Sequence, residues 1–487
     1  MPLIWWAVQH LPKIDVSPHV EVSEHNLPMA RQAARLRTAH IEDIYNRGYL
    51  RVATRISPTI YVPDAHYPHG IEYDLVQGFA DRLGVGVQYI LAESAADAYE
   101  LVRRGLADFA AAGLTINEKR LKHFRYGPSY MTVSRQLIYH HNAARPSNLQ
   151  DINTDFLSVS HGSSHSDWLD DLNNELENVV IQTQVDFDGL DVIDMVNQAE
   201  VDYAIVYSHE ALIGRHIADN IDVAFQLGPS VEFAWVFSNR RDHSLLAEVE
   251  HYFADIRQSR VLDDLLDRYY AQFESLDRDL ALAFLRDAER RIQPFLKHFQ
   301  EAGEKYGIDW RLLAAMGYQE SKWQPDAISH MGAYGLMQIT LPTARELGLE
   351  NPKNPRANIF SAAKYVDYLR NHVAAGVSEP DRTYLAIAAY NVGMGHLADA
   401  RALTQRKGGN PDRWRDVRQY LPLLSEPEYY REARYGYARG EETVRYVENI
   451  RAFHDLMIWI EQRELRRQQP SPLLIQANGN GTLVTTY

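Results

Sequence analysis

The sequence predicts a two-lobed α/β domain followed by a mainly α-helical domain. Strand and helix patterns alternate from about residue 44 to residue 222, whereas only helical patterns follow residue 276. The length of 487 residues leaves room for two or three domains. We therefore divide the chain into a leader (1–43), the α/β domain (44–275, with its second lobe at about 148–222), the helical domain (276–462) and a tail (463–487).

Composition excludes several classes of partner and site. A net charge of −15 argues against a nucleic-acid partner, which would require a basic face, and against binding to anionic lipid by charge alone. Because the chain has no cysteine, it can form neither disulfides nor thiolate metal sites. Its 20 histidines are scattered without the spacing of a metal site. We expect no metal and no cofactor.

The first lobe shows strands and helices joined by short, glycine-marked connections. Such alternation is typical of βαβ units and predicts a parallel sheet. The predicted elements, in order, are a strand at Leu50–Thr54, a helix from Gly70 to Leu83, a strand at Val87–Leu91, a helix from Ala95 to Arg104 and a strand at Asp108–Ala112.

The second lobe begins with a strand at Phe156–Ser160 that leads into Ser163 and Ser164. Small hydroxyl residues before a helix, predicted here from about Ser166, can form an anion site with the free N–H groups of its first turn. Strands follow at Val180-Ile181 and Asp202–Val206; Phe233–Ser238 returns to the first lobe, and Leu245–Phe273 is helical. Two lobes joined by crossing strands predict a hinged cleft.

A motif in the first lobe bears on the ligand of this cleft. The run from Gly113 to Arg120, followed by Phe124, Pro128 and Tyr130, resembles the family 3 periplasmic solute-binding proteins over residues of about 45–270. The resemblance implies that Thr115 and Arg120, with Ser163 and Ser164, hold a ligand carboxylate. An arginine fork suits bidentate capture of such a group.

One departure from the family pattern narrows the class of ligand that the cleft is expected to bind. Amino-acid binders of this family place an acidic residue where this chain has Tyr207, so a free amino acid would lack an anchor for its ammonium group. A cell-wall peptide or muropeptide fits better. The structural alternative for Arg120 is an ordinary surface ion pair with Glu118 or a neighbour.

The second domain is predicted to be helical throughout. A segment from Leu276 to Phe299 links the two domains and should split at Pro294. Asp309 is a predicted N-cap. The remaining predictions are an amphipathic helix at Asn358–Asn371, a buried central helix at Tyr384–Tyr390, a closing helix at Glu441–Ile460, and a tail that its prolines and Asn-Gly pairs predict to be disordered.

Glu320 is the main catalytic candidate. It shares one helix face with Leu313 and Met316, and that face is otherwise apolar. Loss of water there favours the neutral carboxylic acid, which can donate a proton to a leaving-group oxygen near pH 7. A glutamate at a helix end is by itself more often an ordinary surface residue.

Four sequence blocks surround Glu320 in a recognisable order. They are Glu320-Ser321, then Ser329-x-x-Gly-Ala-x-Gly335-Leu-Met337-Gln338, then Ala-Tyr390-Asn391-x-Gly, and finally Glu-Thr-x-x-Tyr446. The set resembles the soluble lytic transglycosylase domain, a lysozyme-like fold that cuts peptidoglycan glycan strands. His330 and Met331 stand where small residues are more usual in that family, a departure that we expect to have no catalytic consequence.

The resemblance assigns roles by position. Glu320 would be the catalytic acid, and Ser329 would orient it. Backbone from Gly335 to Met337, with Gln338, Tyr390 and Asn391, would position the sugar and its N-acetyl group, and Tyr446 would lie in the same cleft. The alternative for both tyrosines is plain core packing with a satisfied hydroxyl.

The motif region offers a single carboxylate, because Asp326 lies beyond Pro325 and need not face the cleft. Ordinary glycoside hydrolysis needs two. In the resembling family the nucleophile is instead the C6 hydroxyl of the muramic acid, which gives a 1,6-anhydro product. Two alternatives stay open: a hydrolytic lysozyme-type muramidase, and a solute-binding protein with an inactive wall-binding module.

The resemblance also implies a periplasmic location, peripheral to the outer membrane. The apolar run from Leu3 to Val8 is too short for the core of a signal peptide and lacks a basic start. We therefore expect the true start to lie upstream, or export to use another signal.

Overall fold

A computed structural model describes residues 41–64, 66–152, 156–160, 164–171, 180–184, 187–239, 242–467, 474–477 and 483–486. The chain forms two compact units. An α/β unit contains the described residues up to Ala271 and those from Glu461 onward, and a helical unit runs from Gln272 to Ile460. The junction lies close to the boundary predicted at Leu276.

The first lobe of the α/β unit is built on a five-stranded sheet in the order β2-β1-β3-β10-β4. The predicted parallel pairing holds for β1 with β2 and β3, whereas the returning strand β10 is antiparallel to β3 and β4. The elements are α1 (Ile41–Arg47), β1 (Tyr49–Thr54), α2 (Ile71–Leu83), β2 (Gly86–Leu91), α3 (Ala95–Arg103), β3 (Phe109–Ala110), β4 (Phe124–Tyr126) and, after the second lobe, β10 (Val236–Ser238), α7 (Ser244–Gln258) and α8 (Val261–Leu266).

The second lobe contains a seven-stranded sheet in the order β14-β13-β7-β6-β8-β5-β9. Its members are β5 (Met131–His140), β6 (Phe156–Ser160), α4 (Ser164–Asp171), β7 (Val180–Gln184), α5 (Gly189–Asn197), β8 (Tyr203–Tyr207), α6 (Ser208–Ile217), β9 (Ile221–Phe233), β13 (Leu474–Ala477) and β14 (Leu483–Thr486).

Two features of this sheet differ from the prediction. The long antiparallel strands β5 and β9 lie outside the predicted span of 148–222, because polar residues such as Arg135 and Gln136 interrupt the apolar pattern of a strand that is paired on both edges. The tail, predicted to be disordered, contributes β13 and β14. Its Asn-Gly pairs are also typical of hairpin turns, and the flanking residues are rich in strand formers.

The helical unit consists of helices and one short two-stranded sheet. The elements are α9 (Gln272–Ser275), α10 (Arg278–Arg290), α11 (Leu296–Tyr306), α12 (Trp310–Ser321), β11 (Ala333–Tyr334), β12 (Ile339–Thr340), α13 (Leu341–Leu347), α14 (Pro355–His372), α15 (Asp381–Val392), α16 (Met394–Arg406), α17 (Trp414–Tyr420), α18 (Pro427–Tyr430) and α19 (Gly440–Arg467). The predicted split at Pro294 is confirmed, since a 3₁₀ turn at Gln293–Phe295 separates α10 from α11. Helix α15 is buried from Leu385 to Ala389, as predicted.

Helix α12 carries Glu320 and is buried along most of its length. Phe284 of α10 packs edge-on against Tyr318 of α12 at 4.8 Å between ring centroids and stacks on Phe453 of α19 at 4.6 Å. Such aromatic pairs add about 0.5–1.5 kcal/mol each beyond their buried area. The catalytic candidate therefore stands at the end of a helix that its neighbours fix firmly.

The start of α12 is fixed by a buried ionic cluster. Asp309 caps the helix, as predicted, by accepting a hydrogen bond from the Arg311 backbone N–H at 2.9 Å. The same carboxylate binds the Arg311 guanidinium at 2.9–3.1 Å and His454 Nε2 at 2.8 Å. Burial would raise the pKa of Asp309, but Arg311 and His454 outweigh that effect and hold the pKa below its usual range.

Asp309→Asn should destabilise the helical unit strongly. The amide keeps a capping oxygen but removes the negative charge that Asp309 places against the buried Arg311 guanidinium, a loss that costs about 3–5 kcal/mol. Because the pKa of Asp309 is depressed in the fold, the contribution is present above the unfolded pKa and is lost as pH falls through the folded value. Urea unfolding at several pH values measures both effects.

Asp277→Asn is the matched control, because Asp277 also caps a helix, α10, by accepting from the Leu280 N–H, but at an exposed site. We expect a change within about 0.5 kcal/mol there. Equal effects of the two substitutions would show that capping, and not the ionic cluster, fixes α12.

Candidate functional site

Glu320 is half-buried at the last turn of α12. The Tyr446 hydroxyl of α19 donates a hydrogen bond of 2.5 Å to its Oε1 atom. Burial raises the pKa of Glu320 to about 7, and the hydrogen bond from Tyr446 opposes that rise. A carboxyl group with this pKa is partly protonated near neutral pH, so it can both donate and accept a proton.

The Gly335–Gln338 loop is joined to the end of α12, where Glu320 lies, through Ser321. Gly335 has φ +78°, and a Cβ there would lie 2.6 Å from the Pro352 carbonyl oxygen, so only glycine fits. The Tyr390 hydroxyl donates to the Met337 carbonyl at 2.7 Å, and the Gln338 amide donates to the Gly335 carbonyl at 2.8 Å. Through these hydrogen bonds, Tyr390 and Gln338 stabilise the conformation of the loop.

Ser329 does not contact Glu320. Its hydroxyl accepts a hydrogen bond of 3.0 Å from the Ala333 backbone N–H and so closes its own turn. The hydroxyl of Ser321 makes the connection instead: it lies 2.9 Å from the Leu336 carbonyl and 3.1 Å from the Gly317 carbonyl. Ser321 thus joins the end of α12 to the loop, a role that the sequence did not assign.

The last two sequence blocks meet through their side chains. Thr443 donates to the Asn391 side-chain oxygen at 2.7 Å, and Asn391 is exposed at the end of α15. Thr443 and Tyr446 are separated by one turn of α19, so they lie on one face. A continuous set of contacts therefore runs from Asn391 through α19 to Glu320.

Asn358 is a structural member of the site that sequence analysis missed. Its side chain is fully buried in α14 and makes three hydrogen bonds to backbone: it accepts from Met337 N–H at 2.8 Å and donates to the carbonyls of Tyr334 and Pro352 at 3.0 and 2.9 Å. The sequence does contain a sign of this role, because Asn358 lies on the apolar face of a predicted helix, where a polar side chain needs a buried hydrogen-bond partner.

The α/β unit contains a separate cleft between its lobes. Thr115, Arg120, Ser164 and Tyr207 line it, as does Glu210. Ser163, the remaining predicted ligand residue, lies outside the described residues. The hydroxyls of Ser164 and Tyr207 share a hydrogen bond of 2.8 Å.

Arg120 is paired across this cleft with the second lobe. Its Nη2 and Nε atoms lie 2.7 and 2.9 Å from one carboxylate oxygen of Asp167, on α4. Asn117 donates to the same oxygen at 2.6 Å, and the guanidinium lies 4.2 Å from the ring centroid of Tyr99. An ion pair was the structural alternative for Arg120, but its partner is Asp167 and not Glu118.

Glu210 is a carboxyl group of the cleft that the sequence analysis did not find. It is buried, it accepts a hydrogen bond of 2.8 Å from the Tyr207 N–H, and burial raises its pKa to about 7. The family pattern predicts an acidic residue at position 207, whereas the fold places one in α6, a turn farther on. The cleft is therefore lined by two acidic side chains, Asp167 and Glu210, as well as by Arg120.

The described ranges contain no group of three or more His, Asp or Glu side chains that is placed to hold a metal ion. None of the helices described there combines the length and apolar character needed to cross a membrane.

Comparison with known proteins gives two families. Residues 50–272 match the bacterial extracellular solute-binding proteins, family 3, and residues 297–412 match the Transglycosylase SLT domain. Among solved structures, an ancestral arginine-binding protein bound to arginine is similar at a TM-score of 0.41 and 18% identity, over 46% of this chain and 98% of that chain. The predicted order, an α/β binding-protein-like domain before a mainly helical lysozyme-like domain, is confirmed by the family matches.

Relatives similar over nearly their full length identify the whole architecture. The chain is 38% identical over 429 residues to the membrane-bound lytic murein transglycosylase F of Saccharophagus degradans, covering 88% of this chain and 86% of that protein. It is also 38% identical to the protein of that name from Idiomarina loihiensis, covering 86% of this chain and 92% of that one. The chain therefore belongs to the membrane-bound lytic murein transglycosylase F family.

Proposed function

We propose that this chain is a peptidoglycan lytic transglycosylase that cleaves the β-1,4 bond between MurNAc and GlcNAc and leaves 1,6-anhydro-MurNAc ends. The observation that carries the proposal is Glu320, a half-buried carboxyl group whose pKa is raised to about 7 by burial. Membership of the family supports the general activity, and the arrangement around Glu320 supports the specific chemistry.

Glu320 acts first as the acid. Its proton passes to the glycosidic oxygen as that oxygen leaves, and the departing GlcNAc takes the proton with it. The resulting carboxylate then acts as a base toward the C6 hydroxyl of the same muramic acid, whose oxygen attacks C1 and closes the anhydro ring. The proton taken from that hydroxyl restores the acid, so no water is consumed.

Hydrolysis with a second carboxylate is the weaker candidate. A retaining or inverting hydrolase needs two carboxyl groups about 5–10 Å apart across the scissile bond. Asp326, the next carboxylate along the chain, is exposed, and the rise in the pKa of Glu320 comes from burial and not from a neighbouring charge. One carboxyl group that serves as both acid and base accounts for this arrangement.

An inactive wall-binding module is the third candidate. The short Tyr446–Glu320 hydrogen bond and the loop held by Tyr390 and Asn358 favour a working site over a vestigial one. Within it, Gln338 and Asn391 would meet the sugar and its N-acetyl group. Ser329, whose hydroxyl is engaged with Ala333, would orient Glu320 only indirectly, through the loop.

The α/β unit would regulate the enzyme by binding a cell-wall peptide or muropeptide. Arg120 and Thr115, with Ser164, would receive a ligand carboxylate. The Arg120–Asp167 ion pair would compete with binding of the ligand carboxylate, because Asp167 already contacts the guanidinium through Nη2 and Nε. A ligand carboxylate that bound the Nε–Nη2 edge of Arg120 would therefore have to displace Asp167 from it. We place the protein in the periplasm, peripheral to the outer membrane.

Glu320→Gln should abolish cleavage of purified sacculi. The amide keeps the shape of the side chain but cannot transfer a proton, so we expect a loss larger than the roughly 10²–10⁴-fold typical of a single proton-transfer role. Mass spectrometry of the products of the unmodified chain should show anhydro ends. Asp326→Asn is the control and should retain activity; reducing ends as the main product would favour the muramidase.

Tyr446→Phe should shift the pH dependence of cleavage. The hydrogen bond from Tyr446 lowers the pKa of Glu320, so its loss should raise that pKa further above 7. The alkaline limb of the rate profile, where the acid loses its proton, should then move to higher pH. Tyr390→Phe is the control, because its hydroxyl bonds Met337 and not Glu320. An unmoved limb in Tyr446→Phe would contradict the assignment of Glu320 as the acid.

Asp167→Asn should tighten muropeptide binding by the α/β unit. The neutral amide no longer competes for the guanidinium, so we expect affinity to rise by a few-fold to about tenfold, or up to about 1.4 kcal/mol. Arg120→Ala should weaken it, and Glu118→Gln should leave it unchanged. Calorimetry with a muropeptide and with free amino acids measures all three. Weaker binding in Asp167→Asn would indicate that Asp167 contacts the ligand directly.

A further inference from the structure

One exposed tyrosine of the helical unit packs its ring against a glycine. Tyr435 lies between α18 and α19, and its side chain remains 52% exposed. A Cβ placed on Gly395 would lie 2.6 Å from Cδ1, 2.8 Å from Cε1 and 2.8 Å from Cγ of the Tyr435 ring. Three adjacent ring atoms at nearly equal distances mean that Gly395 lies over the face of the ring and not at its edge. The bare glycine backbone therefore backs one flat side of the tyrosine.

The ring is also fixed in orientation. The Asp399 carboxylate on α16 accepts hydrogen bonds from the backbone N–H groups of Tyr435 at 2.7 Å and of Arg434 at 3.1 Å. His396 meets the ring in a T-shaped arrangement at 6.3 Å between centroids, and the Arg434 guanidinium lies 5.5 Å from the centroid. With one face packed on Gly395 and its backbone held by Asp399, the ring keeps its exposed surface in one place.

The position of the ring connects it to the catalytic residues. Gly395 lies in the first turn of α16, directly after the Asn391–Gly393 segment that ends α15. Asn391 bonds Thr443, and Thr443 lies one turn from Tyr446, which bonds Glu320. The glycine that supports the ring is thus four residues along the chain from Asn391, the first member of the contacts that lead to Glu320.

We propose that Tyr435 is a sugar-binding platform for the glycan strand, on which a hexosamine ring stacks beside the cleavage site. The axial C–H bonds of a pyranose ring form an apolar face, and the electron-rich face of an aromatic ring attracts it. A rigid aromatic side chain offers this contact at little cost in conformational entropy. The proposal rests on the proposed function, because it takes the same glycan strand that Glu320 cleaves.

The test measures binding without cleavage. Full-length chain carrying Glu320→Gln is mixed with peptide-free glycan strands, and its affinity is compared with that of the double variant that also carries Tyr435→Ala. We expect Tyr435→Ala to weaken binding about tenfold, which corresponds to about 1.4 kcal/mol. Tyr435→Phe and Tyr435→Trp should retain binding, because the contact uses the ring face and not the hydroxyl.

Tyr437→Ala is the matched control. Tyr437 is 54% exposed in the same segment, but it meets Tyr430 in a T-shaped pair at 5.8 Å instead of lying on a glycine. We expect its loss to leave binding unchanged. Equal weakening by both alanine variants would overturn the platform, as would a loss in Tyr435→Phe as large as that in Tyr435→Ala.

A second variant separates binding from folding. Gly395→Ala keeps Tyr435 but forces its ring to move, and it should weaken binding while thermal unfolding shows that the chain is folded. Unchanged binding in Gly395→Ala and Tyr435→Ala would refute the proposal. If the Glu320→Gln parent itself fails to bind glycan strands, the proposed function fails with it; parental binding that survives in Tyr435→Ala refutes only the platform.

Discussion

The proposed chemistry of this protein depends on the loss of water around one carboxyl group. Glu320 stands in the last turn of a helix whose residues from Arg311 to Tyr318 are all buried, and burial raises its pKa to about 7. The same core restrains the helix, since Phe284, Tyr318 and Phe453 pack as one aromatic cluster behind it. Desolvation and rigidity thus have the same source, and both suit the two proton transfers that we propose for Glu320.

The Gly335–Gln338 loop, which Ser321 joins to the end of the Glu320 helix, has almost no regular structure and is held by buried polar contacts. Asn358 binds the Met337 N–H and Tyr390 binds the Met337 carbonyl, so both backbone polar groups of this residue are fixed. Ser321 connects the same loop to the catalytic helix. Because an unpaired buried polar group costs about 1–3 kcal/mol, these contacts specify one loop conformation as well as stabilising it.

In the cleft of the α/β unit, the arginine proposed to bind the ligand already has a partner. Arg120 forms an ion pair with Asp167, and the buried Glu210 lines the same cleft. Under the proposed ligand role, a carboxylate that displaced Asp167 would gain only the difference between its own contact with Arg120 and the one that it replaces.

The sequence by itself determined the class and order of the domains, the helix that carries Glu320, its cap at Asp309 and the four blocks around the site. The helix and its cap follow from local periodicity and capping chemistry, and the blocks follow from their resemblance to a known family. Only the tertiary structure decided which side chains meet. It paired Arg120 with Asp167, turned Ser329 toward Ala333, and brought Asn358 and Tyr446 to the Glu320 region from distant helices. It also added β5 and β9 to the second lobe and gave strands to the tail. These outcomes depend on contacts between residues far apart in the chain, and neither residue of such a pair carries a local signal of its partner.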